Sequence, residues 1–213
     1  MAVSRRRRPA SSADRRFNPQ HVFLNVPFDK GYERLFIALI AAIVGLGRTP
    51  RCVLEIAETG QGRLQRLIEL VTACGVSVHD LSRVGTPARF NMPFELGLAC
   101  AVSEFNDHRH SYVLLERIRH RLTRTLSDLN GRDPYIHHGS PRQVIVRILD
   151  VLRTTSGNPD IRTIVRLDRD LCRATRLLKQ SYHAQSVFAS ATLFAAVVAA
   201  GTELATEAGL IRP

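Results

Sequence analysis

Between Val22 and Leu152, short apolar runs suited to strands alternate with stretches of helical period, and this alternation constrains the fold more than any other feature. The strand-like runs are Val22 to Phe28, residues 52–56, Val76 to Val78, Ser111 to Leu115 and the short Tyr135 to His137. Helical spacing fills the intervals: Tyr32 to Leu46, Arg63 to Ala73, a helix entered near Asn91, Ile118 to Leu129, and Pro141 to Leu152. Strands joined by helices of roughly 10–15 residues need right-handed crossovers and a mostly parallel sheet. The expected fold is therefore α/β, a doubly wound sheet of four or five strands.

Beyond Ser156-Gly157-Asn158-Pro159 the pattern turns wholly helical. Ile164, Leu167, Leu171 and Leu178 mark the inner face of a helix over Ile161 to Lys179, whose other face carries Arg162, Arg166, Arg169, Arg173 and Arg176. That basic stripe reads as a solvated face. The apolar run from Val187 to Ala200 has 14 residues, short of the ~20 that span a bilayer, so it reads as a buried or dimer-forming helix and no membrane is expected. The domain plan is a basic tail over 1–18, an α/β domain over 19–155 and a helical appendage over 160–210.

Charge bears on partners. Basic residues outnumber acidic ones, 30 to 19, and the formal charge is +11. Only Lys30 and Lys179 are lysines, so almost all of it is arginine. The segment up to Arg16 has six arginines and one aspartate and no apolar period. It reads as a disordered, solubilising extension rather than a nucleic-acid anchor. The cysteines at 52, 74, 100 and 172 show no metal or disulfide spacing, as reduced core residues of a cytoplasmic protein would.

In a doubly wound sheet, ligands bind outside the carboxyl ends of the strands where the winding reverses. For a flavodoxin-like order of 2-1-3-4, that crevice lies between strands one and three. Asn25, Phe28, Asp29, Tyr32, Asp80, Ser82, Asn91 and Glu95 are the residues expected to converge there. Asn91 reads as a helix N-cap, Pro93 as the first helical position and Glu95 as a first-turn acid, where the helix dipole favours the carboxylate. Amides and carboxylates bind ribose hydroxyls, and Phe28 or Tyr32 can stack on a base. A carboxylate at Glu95 suits the cationic transition state of glycosidic cleavage. Metal chemistry is not expected: His137 and His138 are adjacent and face opposite ways, and His79 reads as a packed core histidine.

The run Asn91-Met92-Pro93-Phe94-Glu95-Leu96-Gly97-Leu98-Ala99, after a strand ending at Asp80, resembles the glutamate helix of the nucleoside 2-deoxyribosyltransferase family, with Glu95, Gly97 and Ala99 as the matching residues. The opening VFLNVPFD also resembles the first strand and loop of that family and of TIR-like, NAD-cleaving domains. The run from Val22 to about Leu152 is similar to bacterial TIR-like proteins that share the HDLSRV and RFNMPFELGL stretches. The turn before the helix departs from the deoxyribosyltransferase pattern, with Arg89 to Pro93 in place of a small-residue turn.

The resemblance implies a nucleophilic role for Glu95 and an enzyme that cleaves or transfers at an N-glycosidic bond. The partner expected is a nucleoside or nucleotide, with NAD as a possible substrate and no separate cofactor. Self-association is expected. The alternative is a non-enzymatic TIR-like nucleotide sensor or oligomerising signalling module, with antiviral defence as its setting.

Overall fold

The computed structural model describes residues 17–56, 62–83, 90–105, 109–129, 131–152 and 159–212. The basic tail up to Arg16, the acid at Glu58, the residues 84–89 before the Glu95 helix, Asn130 and the 156–158 junction lie outside the described residues. Five strands form one parallel sheet in the order β2-β1-β3-β4-β5: β1 Asn18–Asn25, β2 Thr49–Cys52, β3 Cys74–Asp80, β4 Ser111–Glu116 and β5 Tyr135–Ile136. Helices cover it: α1 Glu33–Gly45, α2 Arg63–Thr72, α3 Asn91–Phe105, the single turn α4 Leu122–Thr125, α5 Pro141–Val151, α6 Ile161–Ser181 and α7 Ala191–Glu207. This is the doubly wound α/β fold with C-terminal helices.

Strand alternation divides the core. Val22, Leu24, Val76, Val78, Val113 and Leu115 point toward α1 and α5, whereas Phe23 and Tyr112 point toward α2 and α3. All seven residues of β3 are buried, as befits a central strand covered on both faces. Gly75 is required there. A Cβ on it would lie 2.6 Å from the carbonyl oxygen and 2.8 Å from the Cα of Pro19, where β1 and β3 change register.

The C-terminal helices share the main core rather than forming their own. Helix α1 is apolar all round, and its residues 35–45 are buried because the sheet covers one side and α6 and α7 cover the other. Ile164, Leu167, Leu171, Leu193, Phe194 and Val197 belong to the same cluster as Val22 and Leu24. Two polar ties fix this layer. Arg34 makes a two-pronged bridge to the buried Asp168, and Glu33 accepts from Lys179 Nζ and, at 3.1 Å, from the Val187 N–H. The five arginines of α6 face outward.

Two elements differ from their sequence expectation, each because a carboxylate captures the backbone. Residues 52–56 do not continue as a strand: Glu55 Oε1 accepts from the Cys52 N–H at 2.9 Å and Glu55 Oε2 from Arg51 Nε at 2.7 Å, which curls Val53–Glu55 into a 3-10 turn. Residues 118–129 do not form one helix. Glu116 Oε1 accepts from the N–H groups of Arg117 (2.6 Å) and Ile118 (3.3 Å), and Arg121 closes on the same carboxylate, so only α4 and a 3-10 turn at Ser127–Leu129 remain helical. No described helix is long and apolar enough to cross a membrane.

Candidate functional site

Instead of the single crevice expected between β1 and β3, two separate pockets lie on either side of the loop after β1. The first, about 390 Å³, lies beyond the carboxyl ends of β1 and β2. Asn25, Phe28, Arg63, Asn91, Glu95 and Phe188 are among its lining. The second, about 550 Å³, is lined by Asp29, Tyr32, Ser82 and His137 among others. The eight residues predicted to converge are thus parted. Asn25, Phe28, Asn91 and Glu95 share one pocket, Asp29, Tyr32 and Ser82 share the other, and Asp80 lies beneath the second.

Glu95 differs from expectation in position and in charge. Helix α3 begins at Asn91, with its first bond from the Phe94 N–H to the Phe90 carbonyl at 3.2 Å. Asn91 is therefore helical rather than the cap, and Glu95 sits beyond the first turn, past most of the dipole's reach. Burial dominates instead. It pushes the Glu95 carboxyl from 4.5 up to about 7, with the Arg63 guanidinium pulling the other way. A carboxyl poised near neutrality in a cavity is available in both protonation states.

Asn25 is fixed by its surroundings. Its Nδ2 donates to the Met92 carbonyl at 2.9 Å and to His79 Nδ1 at 2.9 Å, which leaves Oδ1 as the atom it can offer a ligand. A directed chain continues behind it. His110 Nδ1 donates to the Cys74 carbonyl at 2.8 Å, so its Nε2 accepts from Ser77 Oγ at 2.9 Å, and Ser77 accepts from His79 Nε2 at 2.8 Å. These assignments follow from the carbonyl acceptors at both ends of the chain. Burial, with His110 adding to it, pushes His79 down to about 3; burial also lowers His110, against the pull of its bond to the Cys74 carbonyl. His79 is a buried histidine, as the sequence suggested, and it also orients Asn25.

The other pocket has a saturated floor. Asp80 and His137 are both fully buried. Asp80 Oδ1 accepts from the Ser82 N–H at 2.8 Å, and Oδ2 accepts from the Tyr32 hydroxyl and from His137 Nε2 at 3.0 Å. Burial works to raise the Asp80 carboxyl, but the bonds from His137, Ser82 and Tyr32 outweigh it and hold the group below the usual range. Ser82 Oγ lies 3.0 Å from His137 Nε2, which suggests a nucleophile and its base. The tautomer forbids it. His137 Nδ1 accepts from the Gly139 N–H at 3.0 Å, so Nε2 carries the proton and cannot take one from Ser82. Asp80 here organises Tyr32, Ser82 and His137 and has no surface for a sugar.

Phe28 is stacked on Phe188, ring centroids 5.0 Å apart and planes 28° apart, and meets Phe36 edge-on. Phe188, Ala189, Ser190 and Ala191, from the turn leading into α7, close one side of the Glu95 cavity. These residues carry no sequence signal for the site, because only the docking of α6 and α7 on α1 brings them there. The Ser77–His79–His110 chain is equally hidden, although the alternation of β3 places Ser77 and His79 on one face. Glu116, at the carboxyl end of β4, is consumed by Arg121.

Burial raises the thiols of Cys52 and Cys74, the latter up to about 12, so neither supplies a thiolate. Among the described residues no group of three His, Cys, Asp or Glu side chains is placed to hold a metal ion. Compared with known proteins, the chain matches no family model, no curated protein and no solved structure.

Proposed function

We propose that the Glu95 cavity binds a nucleoside or nucleotide, NAD included, and that Glu95 acts at its N-glycosidic bond. The observation that carries this reading is a carboxyl raised to about 7 inside a 390 Å³ cavity that also offers Asn25, Asn91 and the Phe28–Phe188 pair. In the ionised form Glu95 attacks the anomeric carbon, or stabilises positive charge on it, as the bond to the base breaks and the base leaves with the electron pair. Water or a second base then takes the sugar. Asn25 Oδ1 accepts from a sugar hydroxyl, and the phenyl rings give the base an apolar wall. Because the working form is the anion, base release rises with pH through about 7.

The test is incubation of the protein with a pool of NAD, nucleosides and deoxynucleosides, with chromatography for free base, beside Glu95→Gln. Release by the wild type alone supports the reading; equal release by both removes Glu95 from it.

One observation favours a second reading, a nucleotide sensor of the TIR-like kind acting in defence. The Phe188–Ala191 turn walls the cavity, so a bound ligand touches the start of α7 directly and can shift how the C-terminal helices associate. Self-association belongs to both readings, and the exposed Phe90 and Phe94 of the α3 region give it an apolar surface. A ligand-dependent change in assembly mass without base release selects the sensor.

A further inference from the structure

The second pocket is built differently from the first. Its floor is spent apart from one donor: Tyr32 and His137 both serve Asp80, and Ser82 Oγ accepts from His137 Nε2, which leaves the Ser82 hydroxyl proton free to donate. Its rim is cationic. Lys30, Arg83 and Arg117 all line it. Arg83 is joined to Asp29, but Lys30 and Arg117 have no carboxylate partner among the described residues. This contrasts with the only other lysine, Lys179, which is bound to Glu33. With three cations against Asp29 and the buried Asp80, the pocket keeps a net charge of +1.

Arg117 is also seated. Gly139 has φ +73°, and a Cβ there would fall 3.1 Å from Arg117 Nε and 3.3 Å from Cζ. The missing side chain therefore lets the guanidinium lie against the Gly139 backbone at the pocket edge. The Gly139 N–H is at the same time the donor that fixes the His137 tautomer. One short turn after β5 thus sets both the floor and the rim.

We propose that this pocket, separate from the Glu95 cavity, binds a phosphate group, either as a free oxyanion or as the phosphate moiety of a small molecule. A phosphate has three acceptor oxygens and up to two negative charges, enough to engage a guanidinium, an ammonium and the Ser82 hydroxyl together. A carboxylate, with two oxygens, satisfies fewer of these donors. At about 550 Å³ the pocket has room for more than an inorganic ion.

The test is calorimetric titration of the full chain with inorganic pyrophosphate, ADP and adenosine, on the wild type, Glu95→Gln, and the double variant Lys30→Ala/Arg117→Ala. Both altered side chains of the double variant are exposed, so a thermal melt should show the fold intact. Binding of pyrophosphate and ADP that weakens about tenfold or more in the double variant, with the affinity for adenosine unchanged by it, supports the site. Retention of that binding in Glu95→Gln separates it from the first cavity. Pyrophosphate without ADP binding assigns the pocket to a free oxyanion. Equal affinity in the wild type and double variant marks an adventitious ion only and overturns the proposal, as does absence of pyrophosphate binding up to ~10 mM.

Discussion

The Glu95 carboxyl makes the fold weaker at neutral pH, and removing its charge should make the protein more stable. Its ordinary value is 4.5, and burial raises it to about 7 in the folded chain. Below pH 4.5 it is protonated whether the chain is folded or not, and it contributes no difference. Between 4.5 and 7 the unfolded chain releases the proton while the folded chain keeps it, so stability falls as pH rises. Above 7 the loss is complete. At about 1.4 kcal/mol per pH unit between those values, it reaches about 3.5 kcal/mol as an upper limit, because water in the open cavity screens part of it. Glu95→Gln keeps the shape of the side chain and has no proton to lose. Urea denaturation of both proteins at pH 4.5, 6, 7 and 8 measures the difference, in which every other titrating group cancels. The advantage of Glu95→Gln should grow by between about 1 and 3 kcal/mol from pH 4.5 to 8, or several degrees of melting temperature for a chain of this size. A difference flat to within ~0.5 kcal/mol would refute the burial of Glu95 and with it the basis for a neutral-range acid limb.

Three further outcomes follow from the packing. Gly75→Ala should destabilise by about 3 kcal/mol or more in urea melts, because its new Cβ meets the Pro19 backbone rather than a movable side chain. Ser77→Ala strands a donor on His79 and an acceptor on His110, so it should cost about 2–4 kcal/mol; in the intact protein, nitrogen NMR should show His79 neutral at pH 5, since its pKa lies near 3. The same low value means that stability held above pH 6.5 is lost as pH falls below it. Glu33→Gln weakens the tie to Lys179 and Val187, and hydrogen exchange should quicken around residues 183–190 with a loss of about 1–2 kcal/mol.

Much of the fold was legible because it rests on local periodicity. Apolar residues repeating every two positions in β1 and β4, and every three or four in α2, α5 and α6, have few ways to be buried, and the chain order then implies parallel crossovers. The misjudged stretches were those where one charged side chain overrode the pattern: Glu55 curled the end of β2 and Glu116 broke up the helix after β4. The site was legible only by element. Sequence placed Asn25, Asn91 and Glu95 at strand and helix ends near one crevice, but the path of the β1–α1 loop, which puts Phe28 on one side and Asp29 with Tyr32 on the other, is a three-dimensional property.

What the sequence determined by itself is the alternating α/β plan, the location of a carboxylate helix beside the switch point, and the extra helices after residue 160. Those features follow from short-range spacing and from burial of one face per element. What only the tertiary structure decided is the chemical state of the groups. Glu95 is held near neutrality, Asp80 is saturated, His79 and His137 are locked in single tautomers, and the Phe188 turn closes the cavity. Desolvation and hydrogen-bond partners set each of these, and both depend on residues brought together from distant parts of the chain.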